Sequence, residues 1–127
     1  MTAVLADTSV WIAHFRAASE LLKELVVADR MLMHPLVLLE LACGTPPAPR
    51  ERSLGQLGAL GQMPVATYDE VQVLIEKERL YDLGCGAIDI SLLASVRLTP
   101  GARLWTLDHD LQAVANRLQV AYAPVVH

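Results

Sequence analysis

A chain of 127 residues, 54% apolar and 19% charged, is long enough for one hydrophobic core and far too apolar for a disordered segment. Its formal charge of −4 disfavours nucleic acid as a partner, because phosphate binding is normally driven by Lys and Arg. Acids grouped around divalent metal would weaken that objection, since each ion cancels two charges locally. The mean hydropathy of +0.38 is high, but no run of about 18 uncharged apolar residues occurs, which argues against a spanning helix and for a sheet buried on both faces.

Residues 2–6 form a short β-prone run, a candidate buried first strand. No basic leader precedes it and Asp7 interrupts it, so no secretory signal is expected. Residues 9–16 and 19–28 look helical, with Leu21, Leu22, Leu25 and Val26 on one face. A second strand at 30–34 is stopped by Pro35, and a helix at 36–43 ends at Gly44. The segment 44–49, Gly-Thr-Pro-Pro-Ala-Pro, reads as a loop, followed by a small helix at 50–60 and a third strand at 63–67. A longer helix is expected over 69–83, stopped by Gly84, and another over 89–98. A fourth strand at 103–107, a helix at 109–118 and a last strand at 119–123 complete the pattern. Strands separated by helices imply right-handed crossovers and a parallel sheet, so one α/β domain over 1–127 is expected, with its site beyond the carboxyl ends of the strands. Cys43 and Cys85 fit no metal-ligand spacing and read as cytoplasmic thiols.

The acids fall where such a site would form. Asp7 directly follows the first strand and Asp108 the fourth. Asp7 could be a helix-cap acid, although Thr8 and Ser9 could serve in its place. Glu40 is the only charged side chain in Leu36-Val37-Leu38-Leu39-Glu40-Leu41-Ala42-Cys43, on an apolar face with no base within one turn. A carboxylate so placed costs several kcal/mol unless paired or metal-bound; a distant Arg or a solvent-facing helix would be the plain explanation. Asp89 can act as an N-cap, and Asp108 and Asp110 suit a helix start. Together, four elements deliver an acid each to one edge. Like carboxylates repel, so cations are needed to hold them, and oxygen-only ligands favour Mg²⁺ or Mn²⁺.

The segments Leu5-Ala6-Asp7-Thr8-Ser9-Val10-Trp11-Ile12, Glu40-Leu41-Ala42-Cys43-Gly44, Gly86-Ala87-Ile88-Asp89-Ile90-Ser91-Leu92-Leu93-Ala94 and Leu104-Trp105-Thr106-Leu107-Asp108-His109-Asp110-Leu111 resemble PIN-domain signatures, most closely those of VapC toxins. The resemblance spans nearly the whole chain in the right order. It implies a three-layer α/β/α fold with a central parallel sheet, and a metal-dependent endoribonuclease acting on tRNA or other structured RNA. It also implies the toxin half of a type II toxin–antitoxin system, a VapB-like antitoxin partner and a homodimer. Asp7, Glu40 and Asp89 match the first three family acids and Asp108 the fourth, with Asp7 and Asp89 holding Mg²⁺ or Mn²⁺. Thr8 and Thr106 match site-lining hydroxyls. Asp110 lies in the segment where the family's acidic position shifts, which leaves it as a rival for the fourth place. Leu111 departs from the Phe that many members carry and reads as packing.

Among the remaining side chains, His14, His34, His109 and His127 are scattered, and Trp11 and Trp105 read as core or interface. Arg16, Arg79 and Arg97 are candidates to position RNA, against the plain reading of solvated surface cations. Two other enzyme patterns fit poorly. A haloacid-dehalogenase pattern wants an acid where Ser9 stands, and a receiver domain wants a late lysine where the last is Lys77. A catalytically silent PIN-fold binding module is the alternative from a different class.

Overall fold

The computed structural model describes residues 2–123. His127 and the first residue of the expected single domain lie outside the described residues. The elements in chain order are β1 (Val4–Ala6), α1 (Thr8–Arg16), α2 (Glu20–Val27), β2 (Met31–Met33), α3 (Pro35–Cys43), α4 (Arg50–Gly58), β3 (Gly61–Gln62), α5 (Tyr68–Glu78), α6 (Ala87–Leu98), β4 (Arg103–Trp105) and α7 (His109–Arg117). The four strands form one sheet in the order β3-β2-β1-β4, and every pairing is parallel. In register, Leu5 lies beside Leu32 on one side and Leu104 on the other.

Parallel strands covered on both faces need apolar side chains in both directions, and β1 has them: Val4, Leu5 and Ala6 are each fully buried. Met31, Met33, Leu92, Leu93, Leu104 and Leu111 continue this core. The helices pair as α1 with α3, α3 with α4, and separately α5 with α6. The result is the α/β fold with a central parallel sheet that the alternation of elements implies. Among the described residues no helix is long and apolar enough to cross a membrane.

Several elements differ from their sequence expectations, among them β4, which ends at Trp105 and not at 107, so that Asp108 follows it after two loop residues and not directly. The third strand lies at Gly61–Gln62 instead of 63–67: Met63 still donates to Met33 O at 3.0 Å, but Pro64 has no amide and ends the ladder. The long helix α5 stops at Glu78, five residues before 83, because Arg79 turns to φ 56°; Leu80 N then bonds Ile75 O at 2.9 Å and Arg117 donates to Glu78 O. The expected last strand is reduced to a single parallel bridge of Ala121 to Leu104, since Gln119 at φ 59° redirects the chain just before it.

One buried histidine joins four segments. His34 Nδ1 accepts from Leu36 N at 3.0 Å, capping α3, so the ring proton is on Nε2 and is donated to Ser95 Oγ at 3.0 Å. The same hydroxyl donates to Ser91 O at 2.8 Å and accepts from Ala66 N at 3.1 Å. Burial pushes the His34 imidazole below its ordinary pKa. A folded pKa below the unfolded one means that this contribution to stability is whole above about pH 6.5 and declines as pH falls toward the folded value. His14, held below the ordinary value by burial and by Lys23, adds to the same acid-side slope. His34→Asn keeps a capping oxygen and removes one titrating group, so its Tm is expected to fall less steeply than wild type between about pH 7 and 5. Parallel Tm–pH curves for the two proteins would refute this.

Candidate active site

Asp7 is held by three donors. Its Oδ1 accepts from Ser9 Oγ at 2.5 Å and from Val10 N at 3.2 Å, and its Oδ2 accepts from the Thr106 hydroxyl. The cap reading of Asp7 is therefore correct, and it does not exhaust the carboxylate, since a fourth lone-pair direction on Oδ2 stays free. The two hydroxyls also organise the loop after β4: Leu107 N donates to Ser9 Oγ at 3.0 Å and Asp108 N to Thr106 Oγ1 at 3.0 Å. With Asp7 N on Trp105 O at 3.0 Å, the ends of β1 and β4 are locked together.

Glu40 projects from the middle of α3, half-buried. It is not the unpartnered acid that its apolar segment suggested, because Thr8 Oγ1 donates to Glu40 Oε1 at 2.7 Å. Asp89 is the third residue of α6 and not its N-cap, which is Gly86; its carboxylate reaches back to accept from Gly86 N at 3.4 Å, the N3 half of a capping box. Burial raises the Asp89 pKa, the Gly86 amide opposes this, and the charges of Asp108, Asp7 and Glu40 raise it further. Thr106 ties the Asp108 amide to Asp7, and Thr8, the residue after Asp7, holds Glu40, so these three positions belong to one hydrogen-bonded cluster.

Asp108 caps α7, accepting from Leu111 N at 2.9 Å, and Asp110 follows in the first turn. Both are exposed. Asp110 lies over Gly84, so close that a side-chain carbon there would overlap its carboxylate, and φ 83° at Gly84 also favours glycine. Asp108 adds to the field at Asp89, whereas Asp110 does not figure among its causes. The Cys85 thiol is pushed up to about 11 by burial first, then by Asp89, Asp108 and Asp110.

Among the described residues none of these acids forms a salt bridge. The salt bridges among the described residues are Lys23–Glu20 and Arg97–Glu78, both away from the acids. Arg97 is thus engaged elsewhere, and Arg79 ends α5. Arg16 lines a cleft with Glu40. His109 is exposed. Trp11 is core, and Trp105 packs against Tyr122 with ring centroids 5.7 Å apart. Among the described residues no three Asp, Glu, His or Cys side chains are gathered tightly enough to enclose an ion by themselves. The donors are oxygen-only and mutually repelling, which suits a hard divalent cation that retains some of its own water.

Ser9, which the sequence offered only as a cap, donates to Asp7 and accepts from Leu107 N. A hydroxyl two residues beyond an acid at a strand end is the signal that could have found it.

The PIN domain family model matches residues 4–117. Over 123 residues the chain is 48% identical to Ribonuclease VapC32 of Mycobacterium tuberculosis, in strains CDC 1551 / Oshkosh and ATCC 25618 / H37Rv alike. That match covers 97% of this chain and 98% of each relative.

Proposed function

This chain belongs to the PIN domain family, and from that premise we propose that it is a divalent-metal-dependent endoribonuclease, the toxin of a VapBC-like toxin–antitoxin pair. The observation that carries the proposal is a hydrogen-bonded cluster in which the Thr106 hydroxyl joins Asp7 to the Asp108 amide and Thr8, beside Asp7, holds Glu40, with none of these acids in a salt bridge among the described residues. Such an array is costly for a fold to keep unless a cation or a reacting phosphate uses it. Tight kinship with a named ribonuclease over almost the full length of both chains supports the same reading. In this proposal the substrate is tRNA or other structured RNA, the inhibitor a VapB-like antitoxin, and the working form a homodimer.

Asp89 would hold Mg²⁺ or Mn²⁺ through Oδ1, the oxygen that its bond from Gly86 leaves free, and Asp7 through the lone pair of Oδ2 that Thr106 does not use. When bound, the ion supplies charge neutralisation at the phosphate and a water of lowered pKa. The chain's own residues do the positioning. Ser9 and Thr106 fix the Asp7 carboxylate, and Thr8 fixes Glu40 by one oxygen. Glu40 Oε2, the oxygen that Thr8 leaves free, accepts the proton of the attacking water and Asp108 helps to orient it in line with phosphorus. Asp108 is preferred to Asp110 as the fourth acid because it contributes to the field at Asp89. No nucleophilic side chain is required.

The test is an RNA digestion with Mg²⁺ or Mn²⁺ against EDTA, with Asp7→Asn beside wild type. The expected outcome is cleavage by wild type that needs metal and is lost in the variant. Equal cleavage by both proteins would refute this site, and no cleavage by wild type on any structured RNA would favour the silent binding module.

A further inference from the structure

Next to Glu40, a cleft of about 390 Å³ opens between α1 and the loop after α3. Ile12, Phe15 and Arg16 of α1 form one wall, Pro46 and Pro47 the other, and Glu40 stands at its margin. Its size lies within the range of pockets that hold a small organic group, and its lining is mostly apolar, with Arg16, Glu40 and Thr45 as its polar members.

The cation is one of four with no partner for the side chain among the described residues, the others being Arg52, Lys77 and Arg79, and it alone of the four lines this cleft. Of ten Lys and Arg residues, six are tied down. Lys23 pairs with Glu20 and Arg97 with Glu78, while Arg30, Arg50, Arg103 and Arg117 donate to backbone carbonyls of Thr2, Ala42 and Gly44, Gln119, and Glu78. Among the described residues Arg16 has no such partner. It lines the same cleft as Glu40 and forms no salt bridge with it. Ile12, 40% exposed, and the half-buried Phe15 place an apolar surface beside the guanidinium. A free planar cation next to an apolar wall and beside a group of acids complements a nucleotide, which offers a phosphate at one end and a flat ring at the other.

We propose that this cleft is a nucleotide subsite flanking the acids, in which Arg16 takes the phosphate next to the one that is cut and Ile12, Phe15 and Pro46 support that nucleotide's sugar and base. The proposal rests on the nuclease reading above and adds to it the side on which the RNA strand runs: from the acids, past Glu40, along the C-terminal half of α1. Arg16 also stands in the last turn of α1, where a cation favours the helix dipole. A dipole role alone would make Arg16→Ala less stable without changing its affinity for RNA.

The experiment is fluorescence anisotropy of a short labelled oligouridylate in EDTA, over a series of salt concentrations. Wild type, Arg16→Ala, Arg16→Lys and Lys77→Ala are compared, Lys77 lying outside the cleft and its loss changing net charge equally. Arg16→Ala is expected to bind about threefold to tenfold more weakly at low salt, with a salt slope shallower by roughly 0.7, the value of one phosphate contact on a single strand. Arg16→Lys should restore most of the slope and Lys77→Ala should match wild type. An Arg16→Ala slope equal to that of wild type, an equal loss in Lys77→Ala, or equal wild-type affinity for a polyglutamate of the same length would overturn the subsite. So would a wild type that cleaves RNA yet holds no oligouridylate. Absence of metal-dependent cleavage, by contrast, refutes the nuclease reading and leaves the Arg16 binding result to stand by itself.

Discussion

Asp89→Asn is expected to abolish metal-dependent cleavage and at the same time to make the protein more stable. The loss of activity should be at least about a hundredfold, since the variant removes a charge on which ion binding depends. The gain in stability has a separate origin. The Asp89 carboxyl is half-buried and faces the charges of Asp108, Asp7 and Glu40, so its folded pKa is raised above the unfolded value. Such a group opposes folding as pH rises above the unfolded pKa, and the opposition is complete above the folded one. Asparagine removes the repulsion and keeps an oxygen for the Gly86 amide. The Tm in EDTA should rise by a few degrees, in keeping with the trade between site charge and stability. Added Mg²⁺ or Mn²⁺ should raise the wild-type Tm, by up to about 2.7 kcal/mol of stabilisation at a hundred times Kd, and should leave that of Asp89→Asn almost unmoved. Undiminished cleavage, or a lower Tm in EDTA, would contradict this account.

Thr106→Val is expected to give the largest loss of stability for the smallest change of shape. Thr106 is 4% exposed, and its hydroxyl donates to Asp7 Oδ2 while accepting from Asp108 N. Valine fills the same volume and removes the partner of a buried carboxylate oxygen on Asp7 and of the part-buried Asp108 amide. Each orphaned group costs about 1–3 kcal/mol, so roughly 2–4 kcal/mol should be lost and Tm should drop by about 10 °C. Activity should fall as well, because Asp7 and the start of α7 lose their common anchor. Thr106→Ser keeps the oxygen and should recover most of both. Denaturant unfolding decides the matter: a Thr106→Val midpoint within experimental error of wild type would show that the hydroxyl bridges nothing of consequence.

Much of this was legible before any coordinates. Val4, Leu5 and Ala6 announce a strand buried on both faces, and Asp7 ends it. Pro35 and Gly44 bracket α3 within one residue of expectation, because a missing amide and a missing side chain act locally. The errors came where local pattern was overruled from a distance. The apolar positions of α5 continue past Glu78, yet Arg117, thirty-nine residues away, takes the Glu78 carbonyl and the chain turns at Arg79. Pro64 was visible, but the sequence did not reveal that Met33 had already set the register of β3 upstream of it.

The order of strands and helices was determined by the amino-acid sequence alone, since periodicity and turn residues carry that information within a few positions, and the same sequence is the source of the proposal that Asp7, Glu40, Asp89 and Asp108 form the site. Tertiary structure alone decided which hydroxyl serves which acid: Thr8 for Glu40, Ser9 and Thr106 for Asp7. It also decided that Arg97 is bound to Glu78 while Arg16 remains free beside a cleft. Hydrogen bonds act over about 3 Å, and such distances between residues as far apart as Asp7 and Thr106 exist only once β1 and β4 have paired.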